Sequence, residues 1–516
     1  MDANQLPSQL RIKRIDREQS CWRTVIVDDL IPLDHAARAI WDQVCKLDLS
    51  GFYATIKAVK GVPGRDHLDP RLMTALWIYG YSEGISSARE IARRCEHQPA
   101  FQWLCGLETV SYHALSSFRV DHAERLEKLF INHLTVLSSE GLVDLSEVMH
   151  DGTKIEAQAS SGSFRRAPTL NQHREAAERR VQELAAEAEG DGGGGGGGGE
   201  ALSARQKAAQ ERAAREKLER MEQALKELET QEKAKRPAQR AEVRISETEP
   251  EARIMKHANG GFAPSYNVQI STEASAKIIV AFAATQSGGD PTELVPAVER
   301  IEANFKQKPG TMVVDGGFAT RGNVVALAEQ EIELVGALID HSQPAEKGLE
   351  RRGVTPEYFP AQFQYQEETD TFQCPQGKLL TLKGTRSIPG ATEYHYGAAW
   401  ADCGNCPARL FCCPIKQKKR PGRRIIRRVE DDAVLAYRER METDAAQALY
   451  HRRSEVAEFP NLWIKEKLGL RKFCLRGLAK ANLETLWAAL TYNVQQWIRL
   501  RWRPQQAAAA ATAATG

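Results

Sequence analysis

Two acidic residues stand in settings that could support metal-dependent chemistry. Asp151 follows a short apolar run and precedes Gly152, and Asp315 follows the apolar run TMVV and precedes Gly316. We predict that both acids end strands, where ligands collect in mixed α/β sheets. Two carboxylates on adjacent strands repel each other unless a cation lies between them, and magnesium suits such a place. A turn cap, the commonest use of Asp before Gly, is the alternative.

A third carboxylate is predicted from YHRRSEVAEFPNLWIKEKLGLRKF, residues 450–473. Glu458 precedes Lys465 by seven positions, which is two helical turns, so the acid and the cation would share one face. Pro460 belongs in a first turn or at a kink, so we expect this shared face only from Pro460 onward. A solvated helix face is the alternative for any single glutamate. The surrounding cations are Arg452, Arg453, Lys465, Lys467, Arg471 and Lys472.

Five of the ten cysteines fall between Cys374 and Cys413. Cys403 and Cys406 form a C-x-x-C half-site, and a tetrahedral zinc site needs two further ligands. Cys374 and either Cys412 or Cys413 would complete a structural zinc site. A small cysteine-bearing insertion without metal is the alternative.

A basic run, KQKKRPGRRIIRR, follows the cysteines at 416–428 and has eight cations in thirteen residues. Such a run releases counterions on meeting a phosphate backbone and binds it with strong salt dependence. We predict DNA contact here, with a solvated loop as the alternative. The predicted contact residues are Lys418, Lys419, Arg420, Arg423 and Arg424.

The bulk composition bounds the class of protein. The 516 residues suggest two to four domains, and the net charge of +2 gives no global field that favours nucleic acid. No apolar stretch approaches the ~20 residues of a membrane span, and the N-terminus has no apolar signal core. We therefore predict a cytoplasmic protein without membrane contact.

Helical periodicity predicts that residues 33–138 are helical. Ser87 and Glu90 have capping-box spacing at the start of SAREIARRC, and SYHALSSFRVDHAERLEKLFINHL is predicted as one further helix. Such a pair could read DNA, with ordinary core packing as the alternative. Residues 165–250 are charged and predict a helical hairpin whose tip is the glycine tract 192–199.

Strand and helix patterns alternate through the next segment. We predict a hairpin from 266–270 and 276–284, strands at 311–315 and 332–338, and helices at 290–305 and at NVVALAEQ. This order implies a mixed sheet with helices on its faces. Asp290 stands before Pro291 and is predicted to cap the first of these helices rather than to bind metal.

Three blocks resemble, in this order, the catalytic blocks of bacterial insertion-sequence transposases. They are DGTKIEAQAS (151–160), VVDGGFATRGNVVAL (313–327) and residues 450–484. The chain resembles most the branch called insertion-sequence family 1182, DDE enzymes with an RNase-H-like core. Residues 70–106 are similar to the helical N-terminal domain of that family, and YNVQ (266–269) to one of its strands.

The resemblance implies a function and an active site. A transposase of this kind binds the ends of its insertion sequence, cleaves the DNA and joins the 3′-OH ends to target DNA. It implies Asp151, Asp315 and Glu458 as the catalytic acids that hold two Mg²⁺ ions, with Mn²⁺ as an alternative. The phosphoryl transfer would then rest on positioning and charge neutralisation.

The resemblance also implies a signature of Tyr450, Arg453, Glu458 and Lys465, with Arg453 and Lys465 on DNA phosphates. This sequence has four residues between Arg453 and Glu458 where the family signature has three. Glu455 therefore stays open as a competing third acid.

These patterns combine into an α/β prediction: an RNase-H-like mixed sheet flanked by helices, with a helical N-terminal domain, a helical hairpin insertion and a cysteine-rich insertion. Double-stranded DNA is the predicted partner, at element ends and target, for a homodimer or larger assembly on the nucleoid. An RNase-H-like nuclease that cuts without joining, and an inactive DNA-binding relic, are the alternatives. The predicted domains are 1–140 (helical, DNA-binding), 141–340 (first part of the core, interrupted by 165–250), 341–430 (cysteine-rich and basic), 431–503 (C-terminal helical part of the core) and 504–516 (low-complexity tail).

Overall fold

The computed structural model describes residues 24–58, 66–190, 204–338, 342–414 and 422–515, together with Glu18 and Ser20. The predicted glycine tip at 192–199, and Lys418, Lys419 and Arg420, lie outside the described residues. Within the described ranges, no helix combines the length and apolar character needed to cross a membrane.

The N-terminal region is helical, as its periodicity predicts. Ser87 caps a helix by accepting a hydrogen bond from the Glu90 N–H at 3.4 Å, as the capping-box spacing predicts. The prediction of a single helix after Ser111 is wrong. The helix is interrupted at Asp121 and His122, and apolar residues of the two helices on either side face the core. The helices are α1 Ala36–Cys45, α2 Ser50–Tyr53, α3 Pro70–Ser82, α4 Ala88–His97, α5 Pro99–Cys105, α6 Tyr112–Val120 and α7 Ala123–Ser139.

A mixed sheet forms the centre of the molecule, as predicted. Its order is β4-β5-β1-β7-β8, and β6 also pairs with β5. The pairs β1–β7 and β7–β8 are parallel, whereas β5 pairs antiparallel with β1, β4 and β6. A separate two-stranded pair joins β2 to β3. The strands are β1 Glu147–Glu156, β2 Phe164–Arg165, β3 Ile245–Ser246, β4 Arg253–Lys256, β5 Phe262–Glu273, β6 Ile279–Thr285, β7 Thr311–Val314 and β8 Glu333–Val335.

The register of β1 corrects one prediction and supports another. Strand β1 does not end at Asp151, because β5 continues to pair with it as far as Glu156. The parallel pairing with β7 does stop there: its last partners are His150 and Val314. Asp151 and Asp315 are the next residues after these last partners, so they stand side by side where the parallel pairing of β1 and β7 ends.

The remaining helices lie after β1 in the chain. The alanine-rich tail, for which no structure was predicted, is helical, and α18 joins it through the π-helical turn Ile498–Trp502. The helices are α8 Ala167–Gly190, α9 Ala204–Ala234, α10 Pro237–Arg240, α11 Leu294–Phe305, α12 Arg321–Ala328, α13 Ser342–Glu350, α14 Trp400–Gly404, α15 Arg409–Cys412, α16 Asp432–Met441, α17 Asp444–Glu466, α18 Leu478–Trp497 and α19 Arg503–Thr515.

Helix α18 covers the free edge of the central sheet. The Asn493 side chain accepts from the Ile279 N–H and donates to the Ile279 carbonyl, both at 2.9 Å. Asn482 does the same for Ala284 at 2.9 and 3.1 Å. Two asparagines thus satisfy backbone groups that an exposed edge strand would leave unpaired.

Helices α8 and α9 pack against each other through a small apolar cluster. Met221 and Leu228 of α9 are buried there with Leu170, Val243 and Ile245. Charged residues occupy the outer faces of both helices. The helical pair therefore follows from the local pattern of apolar and charged residues.

A second sheet follows β8 and was not predicted from the sequence. It is antiparallel throughout, with the order β13-β12-β11-β10-β9. Glu430, its last residue, accepts from Arg438 Nε at 2.6 Å and from Arg321 Nε at 2.7 Å, and these hydrogen bonds lower the pKa of Glu430 to about 2. The glutamate thus ties this sheet to α12 and α16. The strands are β9 Gln364–Gln366, β10 Thr371–Gln373, β11 Leu379–Ile388, β12 Ala391–Ala398 and β13 Arg424–Glu430.

Candidate active site

The structure brings Asp151 and Asp315 together on adjacent strands. Neighbouring strands lie about 4.8 Å apart, so two carboxylates at matching positions share one small region. Each carboxylate accepts from the N–H of the glycine that follows it, at 2.8 Å for Asp151 and 2.6 Å for Asp315. A Cβ at Gly152 would lie 2.6 Å from the Gln269 amide nitrogen, so a larger residue here would displace that side chain.

Burial and neighbouring charges disfavour ionisation of Asp151. The pKa of Asp151 is raised to about 6, chiefly by burial, and the charges of Asp315 and Asp290 raise it further. The Gly152 N–H and the positive charge of Arg453 act in the opposite direction on this pKa. A cation at this place would relieve the crowding of negative charge.

Asp290 belongs to the same cluster, and its predicted role as a helix cap is wrong. Helix α11 begins at Leu294, and Glu293 precedes it without a side-chain cap. The Asp290 carboxylate instead accepts from Asn267 Nδ2 at 3.0 Å and lies 3.3 Å from Lys154 Nζ. The loop after β6 therefore folds back over β1 and delivers a third acid beside Asp151.

Asn461 is the residue that the sequence analysis missed. It lies on α17, is only 8% exposed, and donates from Nδ2 to Asp151 Oδ2 at 3.0 Å. Its Oδ1 has no hydrogen-bond partner among the described residues. The available signal was its position three residues after Glu458, which places both on neighbouring points of one helix face.

The other predicted residues of α17 divide into two groups. Arg453 and Lys465 lie close enough to Asp151 for charge coupling; burial lowers the pKa of Lys465, and the Asp151 charge opposes this. Tyr450 instead packs, half-buried, against an apolar cluster that includes Met149 and Val313. The first group faces the acids, and the tyrosine fixes the helix to the sheet.

The structure separates the two competing glutamates. Glu455 lies 2.9 Å from Lys277 Nζ, and this hydrogen bond lowers its pKa. Glu458 is exposed and lies one turn before Asn461. Helix α17 is continuous through Pro460, so the expected limit on the shared face was wrong: Glu458 and Lys465 lie in one unbroken helix.

The described residues do not form a ready-made metal site. Among them, no three His, Cys, Asp or Glu side chains lie close enough together to hold a metal ion. Asp151, Asp315 and Asp290 nonetheless interact electrostatically. Carboxylate oxygens are the ligands that Mg²⁺ prefers, so the chemistry of this donor set fits a hard divalent cation.

The five clustered cysteines line one cavity between β10 and β13. Burial raises the pKa of Cys403, and the neighbouring thiols of Cys413, Cys406 and Cys374 add to this. Two backbone N–H groups point at sulfur: that of Arg423 at Cys403 (3.4 Å) and that of Lys378 at Cys374 (3.3 Å). Cys412, the fourth predicted ligand, hydrogen-bonds Cys413, and this raises its pKa.

The described part of the basic run is divided between interior and surface. Arg423 donates to the carbonyls of Cys412 and Tyr358 at 3.3 and 3.1 Å, so it braces the cysteine cavity. Arg424 is exposed on β13. The guanidinium of Arg423 is thus occupied within the protein, whereas that of Arg424 faces outward.

Two segments of the chain match known protein families. Residues 373–498 match the family described as "Transposase DDE domain", and residues 25–121 match "Transposase domain (DUF772)". The first segment includes Glu458, whereas Asp151 and Asp315 lie between the two segments. The matches support similarity to an insertion-sequence transposase without distinguishing family 1182.

One solved structure is also similar: the cryo-EM structure of the piggyBac transposase synaptic complex with hairpin DNA. The similarity has a TM-score of 0.24 and 8% sequence identity, and covers 90% of this chain and 81% of that chain. A TM-score this low does not establish a shared fold. No curated protein matches the chain.

Proposed function

We propose that this protein is a DNA transposase of the insertion-sequence type with an RNase-H-like catalytic core. One observation carries the proposal: Asp151 and Asp315 stand side by side on parallel strands, and α17 contacts Asp151 through Asn461. Helix α17 lies within the segment similar to DDE transposase domains and bears Glu458. Two distant parts of the sequence thereby meet at one carboxylate.

Asp151, Asp315 and Glu458 would hold two Mg²⁺ ions, or Mn²⁺ as an alternative. Bound there, the ions would neutralise charge on the attacking and leaving oxygens of a phosphodiester. The surroundings of Asp151 support this assignment: burial is the main cause of its raised pKa, the charges of Asp315 and Asp290 raise it further, and a bound cation would offset both effects. Glu458 is preferred to Glu455, whose carboxylate is engaged by Lys277.

The cations near the acids would hold the DNA. Arg453 and Lys465 both interact electrostatically with Asp151. They would bind phosphates beside the cleavage point and so position the scissile bond. Tyr450 would hold α17 in place by packing against the apolar residues of the central sheet. Lys418, Lys419 and Arg420 of the basic run, together with the exposed Arg424, would bind the phosphate backbone further away.

The described thiols of the cysteine cavity do not form a ready-made metal site either, but drawn closer together they would hold a structural zinc ion. Cys374, Cys403 and Cys406 would supply three ligands, and either Cys412 or Cys413 the fourth. The N–H groups directed at Cys374 and Cys403 support this, since they favour thiolate sulfur. The working assembly would be a homodimer or larger complex on double-stranded DNA, in the cytoplasm at the nucleoid.

A strand-transfer assay tests the proposal. The genomic DNA that flanks the gene supplies the terminal inverted repeats, and the protein is incubated with these ends, target DNA and Mg²⁺. We expect joined products from the wild type, and none from Asp151→Asn, Asp315→Asn or Glu458→Gln, all of which should still bind the ends. Products that are cut but never joined would indicate a nuclease, and end binding without cutting an inactive relic.

Glu455→Gln is the matched control for Glu458→Gln. The two substitutions remove the same charge from the same helix, three residues apart. We expect Glu455→Gln to retain strand transfer, because it loses only the ion pair with Lys277. Loss of joining in Glu455→Gln with retention in Glu458→Gln would reverse the assignment of the third acid.

A further inference from the structure

The second sheet has one face that is strongly basic. Strand pairing places Arg386, Glu393 and Arg428 in one row, and Gly384, His395 and Ile426 in the next. Because alternate residues of a strand point to opposite faces, these rows share a face with Gly397 and its partner Arg424. We name it the basic sheet face and define it by Lys383, Arg386, Glu393, His395, Arg424, Ile426 and Arg428.

A β-bulge brings Lys383 onto this face. The register of β11 shifts between Leu382 and Gly384, which leaves Lys383 as the extra residue. A Cβ at Gly397 would lie 3.2 Å from Lys383 Cγ and 3.9 Å from Arg424 Cγ. Lys383 and Arg424 therefore flank Gly397, and the missing side chain leaves room for the lysine stem.

Four cations on this face meet the acid Glu393, and Glu430, the next residue of β13 in the same phase, is already held by Arg321 and Arg438. The charge of Glu393 is matched by Arg428, which donates to it at 2.8 Å, and this hydrogen bond lowers the Glu393 pKa. Lys383, Arg386 and Arg424 add three positive charges, and all three side chains are exposed. The excess of positive charge is thus concentrated on a flat, solvent-facing surface.

The opposite face of the same strands is a core. Tyr396 and Ile425 are buried there, and Arg427 stacks over the Tyr365 ring at 4.4 Å from its centroid. Strand alternation therefore sorts the basic run: Arg424 and Arg428 face outward, and Arg427 packs inward. The described part of the basic run therefore contributes Arg424 and Arg428 to the outer face, and β11 contributes Lys383 and Arg386 to the same face.

We infer that the basic sheet face is a docking surface for the phosphate backbone of duplex DNA, an inference that rests on the proposed function. Exposed guanidinium and ammonium groups bind phosphates without reading base sequence, and each contact releases counterions. A solvent-facing surface on which Lys383, Arg386 and Arg424 add three unmatched positive charges complements a polyanion. This surface belongs to the second sheet, whereas the acids belong to the central sheet. It would bind a different part of the DNA from the acids, and this binding would not depend on base sequence.

Binding of a random-sequence duplex at several salt concentrations tests this surface. We compare the full-length wild type with the triple variant Lys383→Ala/Arg386→Ala/Arg424→Ala, which spares the Arg428–Glu393 pair. The slope of log K against log[salt] should fall in magnitude by about 0.9 per lost phosphate contact, thus about 2 to 3 in total. Circular dichroism and thermal unfolding report whether the variant folds.

The control triple is Lys226→Ala/Lys233→Ala/Lys235→Ala, which removes the same charge from exposed residues at the α9 end of the molecule. An equal loss in both triples, or an unchanged slope in the sheet triple, overturns the inference. A wild type that binds no DNA overturns the proposed function instead. A sheet triple that loses self-association but keeps its DNA affinity assigns the face to a second copy of the chain.

A photo-crosslinker on Ile426→Cys gives a readout that does not depend on the charge variants. Ile426 is 51% exposed at the middle of the face. Crosslinks to DNA from this position, and none from the same label on Val429→Cys, which is 42% exposed on the opposite face of β13, support the docking surface. The reverse pattern overturns it.

Discussion

At the scale of single residues, the Asn461 amide is a hydrogen-bond donor to a catalytic candidate. Its Nδ2 donates to Asp151 at 3.0 Å, and a donor favours the ionised carboxylate. The pKa of Asp151 is still raised to about 6 from its ordinary value of 3.8. In the metal-free protein, the stability from this group is therefore fully present below about pH 4 and is lost as the pH rises through about 6.

We predict that Asn461→Leu makes this loss larger. The leucine has a similar size but no donor, so the metal-free protein should lose about 1.5–3 kcal/mol at pH 8, the range for hydrogen bonds to charged groups. The loss should be smaller at pH 4, where Asp151 is protonated. Urea unfolding in EDTA at both pH values measures it, and strand transfer should fall while end binding persists.

Asn304→Leu is the control for this pH dependence. Its Nδ2 donates to the Val280 carbonyl at 2.9 Å, a neutral partner, so its cost should be equal at both pH values. An equal loss at pH 4 and pH 8 for Asn461→Leu would show that Asn461 acts only through packing.

At the scale of elements, the cysteine cavity is formed by the segments of the chain that lie between β10 and β13. Cys374, Cys403 and Cys412 pack against the apolar cluster of the second sheet, and a bound ion would add direct links between the segments that carry them. We predict about one zinc per chain in purified protein. Cys403→Ser should lose that zinc and destabilise the second sheet, as measured by metal analysis and by hydrogen exchange in β11 and β12.

Cys474→Ser is the matched variant outside the cavity, on an exposed thiol. It should retain zinc and the wild-type exchange pattern. If wild-type protein purified without chelators contains no zinc, and Cys403→Ser exchanges like the wild type, the cavity is an ordinary small core.

At the scale of the whole molecule, α18 joins the N-terminal helices to the central sheet. Trp487 is fully buried and lies 6.1 Å from the Trp77 ring of α3, while Asn493 binds β6 from the same helix. One apolar cluster extends from α1 through the sheet to α18. The N-terminal helices α1 to α7 therefore share a core with the C-terminal part of the chain.

We predict that this shared core unfolds in one cooperative step that includes the N-terminal helices. Trp487→Ala should lower the free energy of unfolding by about 3–5 kcal/mol through the cavity that it leaves. Calorimetry and hydrogen exchange in α3 and β6 should report the same transition. Trp400→Ala, at an exposed tryptophan, should change little. Separate transitions for α3 and β6 would show that residues 1–140 fold independently.

Local patterns determined much of this protein before any tertiary contact. The apolar run before Asp315, the hairpin near Tyr266 and the capping box at Ser87 each form where predicted, because each depends on a few neighbouring residues. The three acids that we propose as catalytic, Asp151, Asp315 and Glu458, were also predicted from sequence blocks. These features have short-range causes, namely side-chain period, capping and turn chemistry.

Only the tertiary structure decided what those residues meet. The antiparallel partner β5 carries β1 past Asp151, Asn461 reaches Asp151 across 310 positions, and Asp290 turns from a cap into a member of the acid cluster. The second sheet and its basic face depend on register between β11, β12 and β13. Register and long-range hydrogen bonds are properties of pairs of distant segments, and the periodicity of either segment alone carries no information about its partner.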